Sequence, residues 1–267
     1  MKQVKSRIGG VSETMLQTLY ARASESKKEN PLFHDPKAEE IVASLNYDFS
    51  LASQDFAMSK GVIARTILLD QMVKAFIREH ENTCIINIAS GMDTRFYRLD
   101  NGKIIWYNID LAEAIALRND CFEACERVTN IACSAMDEKW RKAVHEDNRP
   151  VLVIIEGLTM YLTEQDVKKI FAIISTLPKA TIYVETMSRF AVKHVKEKSV
   201  AQSGAKFTWG IKKGKDLEKL LKGFVMAKEV SLIEGMKVIY PAYKWISWIK
   251  PVGRISNQII VLKNDAD

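Results

Sequence analysis

Two rhythms of apolar and polar positions divide the chain. Up to about residue 80, apolar residues recur at helical spacing. Met15, Leu16, Leu19 and Tyr20 fall on one face of a helix expected over 12–28, which Asn30-Pro31 closes because the residue before a proline avoids the α region. A second short helix is expected from Pro36, with Asp35 as N-cap and Ala38, Ile41, Val42 and Leu45 on one face. A longer one follows over 58–80, striped by Ile63, Ile67, Met72, Val73, Phe76 and Ile77. Beyond it the apolar residues bunch into short runs at 84–89, 104–109, 128–133, 151–155 and 181–184. Helical patterns at 111–126, 137–146 and 164–176 separate most of them, the last opened by a capping box of Thr163 and Asp166. Short apolar strands alternating with helices predict a parallel sheet covered on both faces. Two further runs, 224–232 and 255–262, are placed as an antiparallel edge, and the residues after Leu262 are expected to fray. The pattern predicts an α/β, Rossmann-like sheet, mostly parallel with an antiparallel C-terminal edge, with helices on both faces. It is read as one domain: an N-terminal helical cap (1–80), a ligand-binding core (81–185), a lid over the substrate (186–223) and C-terminal strands (224–267).

Composition narrows the class. The 267 residues are 47% hydrophobic and 27% charged, enough apolar material for a sizeable core. No run approaches the roughly 20 apolar residues of a membrane span, and the first residues lack the apolar stretch of a signal peptide. A cytoplasmic protein without a membrane partner is expected. Cys84 and Cys133 sit in strand-like runs, and Cys121 and Cys125 are placed on one helix face. With no histidine at ligand spacing, all four read as reduced thiols and no metal is expected. The net charge of +6 has a location: nine lysines stand between Lys193 and Lys222 against Glu197, Asp216 and Glu218, which accounts for the whole surplus. That stretch is either a solvated face or a surface for an acidic acceptor or acidic carrier protein. There is no arginine-rich run and no RNA-binding signature, so a nucleic-acid partner is not expected.

In such sheets ligands sit beyond the carboxyl ends of the strands, where strand order reverses. After the first run come Ala89-Ser90-Gly91-Met92-Asp93-Thr94-Arg95, small residues that let a backbone pass close to a ligand. Only Gly91 is a glycine, so the fingerprint G-x-G-x-x-G is missing, which argues against a nicotinamide-dependent oxidoreductase. After the second comes Asp110, 19 residues beyond Gly91, a position that suits ribose hydroxyls and equally an N-cap for the helix starting at Leu111. After the third come Ser134, Ala135, Met136 and Asp137. After the fourth come Glu156 and Gly157, where a carboxylate either faces the cleft or pairs with Arg22 or Arg65.

The stretch from Ile86 to Arg98 resembles the hallmark of the leucine carboxyl methyltransferase superfamily, approximately N-L-G-A-G-L-D-T-R-x-Y-R, and most of all its polyketide-type O-methyltransferase branch. The resemblance continues in Tyr20-Ala21-Arg22-Ala23, in Pro31 to Ala38, in Ala64-Arg65-Thr66 with Asp70, in Ser134 with Asp137 and Trp140, and in Glu156-Gly157-Leu158-Thr159-Met160-Tyr161-Leu162. It implies S-adenosylmethionine as cofactor, S-adenosylhomocysteine as product, and O-methylation of a small-molecule carboxylate or hydroxyl by one-step displacement. Carried over, Ser90 and Gly91 line the methionine part, Arg22 and Arg65 suit its carboxylate, and Asp110 binds the ribose. Ser134 and Ala135 flank the adenine, Glu156 lies near the amino and sulfonium end, and Ala89, Asp93, Leu111 and Gly157 complete the set. Ala89 departs from the family, standing where it usually has its first glycine, and Ser90 stands where it usually has alanine. Because Ala89 directly continues a strand, its backbone is expected to stay in the β region. A positive φ there would cost about 1 kcal/mol.

A sulfonium cofactor brings its own electrophile, so the protein mainly aligns the reactants. A carboxylate acceptor needs no base, whereas a hydroxyl benefits from one. Glu156, Tyr161 and His194 are the conceivable helpers, none is assigned as a base, and His194 has no visible partner. Met187, Phe190, Phe207 and Trp209 form either an aromatic lid or plain core. The altered turn motivates one alternative, a non-catalytic S-adenosylmethionine-binding relative with a scaffold or regulatory role. The oligomeric state is left open.

Overall fold

The structure, a computed structural model, describes residues 4–5, 14–194, 206–246 and 256–264. One seven-stranded sheet organises it. Its strands are β1 (Cys84–Ile88), β2 (Ile105–Asp110), β3 (Val128–Ala132), β4 (Val151–Ile155), β5 (Thr181–Thr186), β6 (Phe224–Ser231) and β7 (Gln258–Asn264). They lie in the order β3-β2-β1-β4-β5-β7-β6, parallel from β3 to β5, with β7 antiparallel to both neighbours. Every residue of β1 and β4 is buried, which is why β4 reads as an unbroken apolar run and β1 as one interrupted only by Asn87, while edge strand β3 is only half-buried.

Helices cover both faces: α1 (Thr14–Ser26), α2 (Pro36–Ser44), α3 (Ser50–Gln54), α4 (Phe56–Glu79), α5 (Arg95–Leu99), α6 (Ala112–Cys121), α7 (Lys139–Ala143), α8 (Glu164–Ile174), α9 (Arg189–His194), α10 (Gly214–Leu220), α11 (Ile233–Ile239) and α12 (Tyr243–Ile246). Alternate strand residues feed separate cores. Ile85, Leu152 and Ile154 pack on Val73 and Phe76 of α4, whereas Ile86, Val153 and Ile155 pack on Val167 and Phe171 of α8. A third core joins Leu16 and Leu19 of α1 and Ile41 of α2 to Met92, Ala114 and Leu117, and so seats the N-terminal helices on the turn after β1. Each such side chain contributes about 1.5–3 kcal/mol on burial. Asp35 caps α2 by accepting the Ala38 N–H, and Thr163 and Asp166 form the expected capping box on α8. Among the described residues no helix is long and apolar enough to cross a membrane.

Four expectations are corrected. Helix α1 ends at Ser26, two residues before the expected end at 28, because Glu25 turns to accept the Leu32 N–H at 3.2 Å and Ser26 Oγ accepts the Asp35 N–H at 2.7 Å. Helix α6 ends at Cys121, which leaves Cys125 outside it, so the two thiols share no helix face. Between β6 and β7 the chain forms helices, and Gly235 of α11 passes so close to α4 that a Cβ there would lie 2.3 Å from the Ala64 carbonyl oxygen. Of the residues expected to fray beyond Leu262, Lys263 and Asn264 continue β7, the Asn264 side chain accepting the Ala180 N–H at 2.5 Å and donating to the Leu177 carbonyl at 2.6 Å, and residues 265–267 lie outside the described residues.

Candidate functional site

The chain runs outward through β1, β2 and β3 and then returns to the other side of β1 as β4. At that reversal, beyond the carboxyl ends of the strands, opens a cavity of about 320 Å³. All the positions carried over from the family resemblance line it: Arg22, Arg65, Ala89, Ser90, Gly91, Asp93, Asp110, Leu111, Ser134, Ala135, Glu156 and Gly157, and with them Tyr161.

The turn after β1 is sharper than expected. Ala89 has φ +54°, in the left-handed region rather than the β region. The reversal requires it, because Ser90 must donate its N–H to the Ile109 carbonyl at 3.3 Å while its own carbonyl accepts the Asp93 N–H at 2.9 Å. Gly91 follows with φ +45°, and a Cβ there would lie 2.9 Å from the Cβ of Met15, so α1 closes over the turn only because this residue is glycine. Arg118 of α6, which sequence reasoning missed, holds the turn from behind. Its buried Nη1 donates to the carbonyls of Gly91 at 2.8 Å and Asp93 at 2.9 Å, and its guanidinium lies over the Phe122 ring. Burial lowers the Arg118 pKa to about 10, so it remains a cation at neutral pH. Ser90 Oγ is buried beside the cavity with no hydrogen-bond partner, the kind of group that a ligand completes.

Asp110 closes β2. Its Oδ2 accepts the Gly91 N–H and its Oδ1 accepts the Leu111 N–H, both at 2.7 Å. Leu111, not Asp110, is the N-cap of α6, so the N-cap reading is corrected: the carboxylate is turned back across the strand ends. Burial raises its pKa above the ordinary aspartate value, and the two N–H groups only partly offset that. A carboxylate accepts about four hydrogen bonds, so Asp110 retains capacity for a pair of hydroxyls.

Beneath the turn lies a floor of paired charges. Arg95 meets Asp70 at 2.8 Å, Asp93 at 2.6 Å and Glu156 at 2.9 Å. Arg98 meets Asp35 at 2.6 Å and Asp70 at 2.7 Å. Arg22 approaches Asp35 at 3.3 Å and donates to the Met92 carbonyl at 2.6 Å. Glu156 pairs with Arg65 at 2.6 Å, and not with Arg22. Burial pushes the Glu156 pKa up, but Arg65 and Arg95 outweigh it and hold the group below the ordinary glutamate value. An acid so firmly ionised is a poor proton acceptor. Glu185 was also missed: the apolar run ends at Val184, and the strand-end rule applied one residue further finds it. Its Oε2 accepts Arg65 Nη1 at 2.9 Å and the Gly157 N–H at 2.8 Å, and its Oε1 accepts Asn257 Nδ2 at 3.0 Å.

The stretch after β5 divides. Trp209 is buried in the α8-side core, while Phe190 is exposed and stacks on His194. His194 does have a partner, its Nδ1 lying 2.9 Å from the Phe190 carbonyl oxygen, and it lines neither this cavity nor the smaller one beside it. Phe207 and Met187 face Met160, with Phe207 5.5 Å from the Tyr161 ring. The described lysines of 193–222 are exposed and line neither cavity, while Lys196, Glu197 and Lys198 lie outside the described residues.

Comparison with known proteins agrees with this geometry. The tetracenomycin polyketide synthesis O-methyltransferase TcmP of Streptomyces glaucescens is 29% identical over 245 residues, covering 90% of each chain. The S-adenosyl-L-methionine-dependent methyltransferase dpfgK of Gibberella zeae is 29% identical over 291 residues, covering 95% of each. A methyltransferase structure from Anabaena variabilis shares the fold, with a TM-score of 0.53 at 9% identity over 98% of this chain and 99% of that one. Residues 15–175, more than half of the chain, match the leucine carboxyl methyltransferase family, and the protein belongs to that family.

Proposed function

We propose that the protein is an enzyme that transfers the methyl group of S-adenosylmethionine to an oxygen atom of a small-molecule acceptor. The observation that carries this reading is the cavity at the strand reversal, in which a backbone turn, a carboxylate with unused acceptor capacity and two arginines meet. The residues fit the cofactor. Asp110 suits the ribose hydroxyls, and Ser90 brings an unpartnered buried hydroxyl beside the closely approached backbone of Gly91. Arg22 and Arg65 suit the methionine carboxylate, Ser134 and Ala135 the adenine, and Glu156, held ionised, the amino group. Bound there, the cofactor supplies a methyl group already activated on a sulfonium, which needs no nucleophile from the protein. The protein's share is alignment and exclusion of water.

The strained turn leaves the cavity open, since Ala89 lines it rather than filling it. That, with relatives named as methyltransferases over nine-tenths of their length, favours the enzyme over a non-catalytic relative. The N-terminal helices cap the site and the stretch after β5 closes its acceptor side, within one domain. The free thiols of the described structure suit a reducing compartment such as the cytoplasm. The test is release of S-adenosylhomocysteine in the presence of phenols and carboxylic acids: acceptor-dependent release is expected, and cofactor binding without release for any acceptor would reinstate the non-catalytic reading.

A further inference from the structure

Arg65 reaches the cofactor cavity from α4 on a long side chain with many rotamers. Two carboxylates restrain it. Its Nε lies 2.6 Å from Glu156, just after β4, and its Nη1 donates to Glu185, near the end of β5, at 2.9 Å. Neither pairing uses Nη2. A guanidinium is planar, so holding it at two nitrogens fixes the direction of the third. Arg65 and Glu156 then present a positive and a negative group side by side. The methionine end of S-adenosylmethionine is a zwitterion of carboxylate and ammonium, and it can meet both without adding net charge.

Glu185 has a different place. It is 2% exposed, and it lines a smaller cavity of about 110 Å³ beside the first rather than the cofactor cavity itself. Its reach to the cofactor therefore runs through a neighbour. Oε2 accepts Arg65 Nη1 and, at 2.8 Å, the Gly157 N–H. Oε1 accepts Asn257 Nδ2 at 3.0 Å, and the Glu185 backbone carbonyl accepts Thr159 Oγ1 at 2.7 Å. The turn after β4 and the residue before β7 thus seat the carboxylate where one oxygen spans Arg65 and Gly157. With Glu185 withdrawn, Arg65 would keep Glu156 alone, and a single partner does not fix the plane of the guanidinium. The charge of Glu185 is no help in itself, because a negative group beside Arg65 weakens its hold on another carboxylate. What Glu185 adds is orientation.

We infer that Glu185 is a positioning residue: without touching the cofactor, it fixes the Arg65 guanidinium for the methionine carboxylate, and it does so by its reach rather than by its charge. The inference rests on the methyltransferase reading of the cofactor cavity and deepens it.

The test pairs two substitutions that separate reach from charge. Glu185→Asp keeps the charge and shortens the side chain by a methylene. Glu185→Gln loses the charge and keeps an oxygen for Arg65 and Gly157, while its amide N–H can meet Asn257 once that side chain turns its own oxygen round. Each protein is titrated calorimetrically with S-adenosylhomocysteine and with 5′-methylthioadenosine, which has the adenosine and the sulfur but no amino-acid end. Glu185→Asp is expected to weaken S-adenosylhomocysteine about tenfold and to leave 5′-methylthioadenosine unchanged. Glu185→Gln is expected to stay within about threefold of the wild type for both ligands. Asn257→Ala unpins Oε1 from outside the cofactor cavity and is expected to weaken S-adenosylhomocysteine alone, by about threefold. It decides the matter if Glu185→Asp does not fold.

Equal binding of S-adenosylhomocysteine by the wild type and Glu185→Asp overturns the inference, and so, where that variant does not fold, does Asn257→Ala without a selective loss. Weakening of both ligands together overturns it as well, since that marks a structural role alone. Glu185→Gln weakened as much as Glu185→Asp does the same, because charge would then be the cause. In each of these cases the cofactor reading survives if the wild type binds both ligands. Failure of the wild type to bind either one defeats that reading and this inference with it.

Discussion

The carboxylates around the main cavity are built on opposite principles. On the floor, Asp93 and Glu156 sit among guanidiniums: burial pushes both pKa values up, and Arg95 with its neighbours Arg98, Arg22 and Arg65 pulls both below their ordinary range. At the rim, Asp110 is bonded by two backbone N–H groups and burial leaves its pKa raised. The floor's charges satisfy one another and fasten α1, α4 and α5 to the strand ends. Asp110 keeps capacity to spare. Arginine pairing ties a carboxylate into the scaffold and holds it ionised, as at Asp93 and Glu156, whereas a carboxylate held only by backbone, as at Asp110, keeps acceptor positions for recognition.

The comparison breaks most visibly at Arg95. Arg95→Met leaves Asp70, Asp93 and Glu156 without the cation they share, and is expected to lower stability by about 3–5 kcal/mol in urea unfolding. The floor also sets a pH dependence. Because the folded pKa values of Asp93 and Glu156 are depressed, the stability they contribute is full above the ordinary carboxylate value of about 4 and is lost as pH falls through their lowered values. Acid unfolding in which stability falls only below that ordinary range is the expected record.

Asp110→Asn is the counterpart. It is expected to weaken S-adenosylhomocysteine binding by about 10–100-fold, or about 1.4–2.7 kcal/mol, and, because its amide can accept only one of the two backbone N–H groups, to lower stability by about 1–2 kcal/mol in urea unfolding. The sign is opposite to the floor's. With a raised folded pKa, the stability linked to protonated Asp110 is present below its unfolded value and lost as pH rises through the folded one. Removing the charge therefore offsets part of the cost of the lost N–H acceptor at neutral pH. Ligand affinity should in turn decline with acid at a pH above the ordinary aspartate value.

Smaller effects sharpen the picture. Arg118→Lys cannot reproduce the planar donor that spans two carbonyls, and is expected to lower stability by about 1–2 kcal/mol and to weaken cofactor binding. Ala89→Gly relieves a left-handed alanine and is expected to raise stability by about 1 kcal/mol, read as a higher melting temperature.

Much of this arrangement was legible in the sequence. Strand ends are marked by where apolar runs stop, so Asp110 and Glu156 could be placed at the mouth of the sheet from Ile105–Ile109 and Val151–Ile155 alone. Helix α4 announces itself by its long stripe, and α2 by Asp35 and Pro36. Helix α5 does not, because its five residues are too few to display a period. The φ of Ala89 was misread because a strand pattern carries no signal for the turn that follows it. Arg118 and Asn257 act on partners 27 and 72 residues away, and no local pattern reports such pairs.

The most direct test of the central claim, that the cavity at the strand reversal is a cofactor site governed by Asp110, is calorimetric titration with S-adenosylmethionine of the wild-type protein and of Asp110→Asn. Saturable one-site binding to the wild type, weakened about 10–100-fold in a variant that remains cooperatively folded, is the predicted result. Equal binding by both proteins, or none by the wild type, would contradict it.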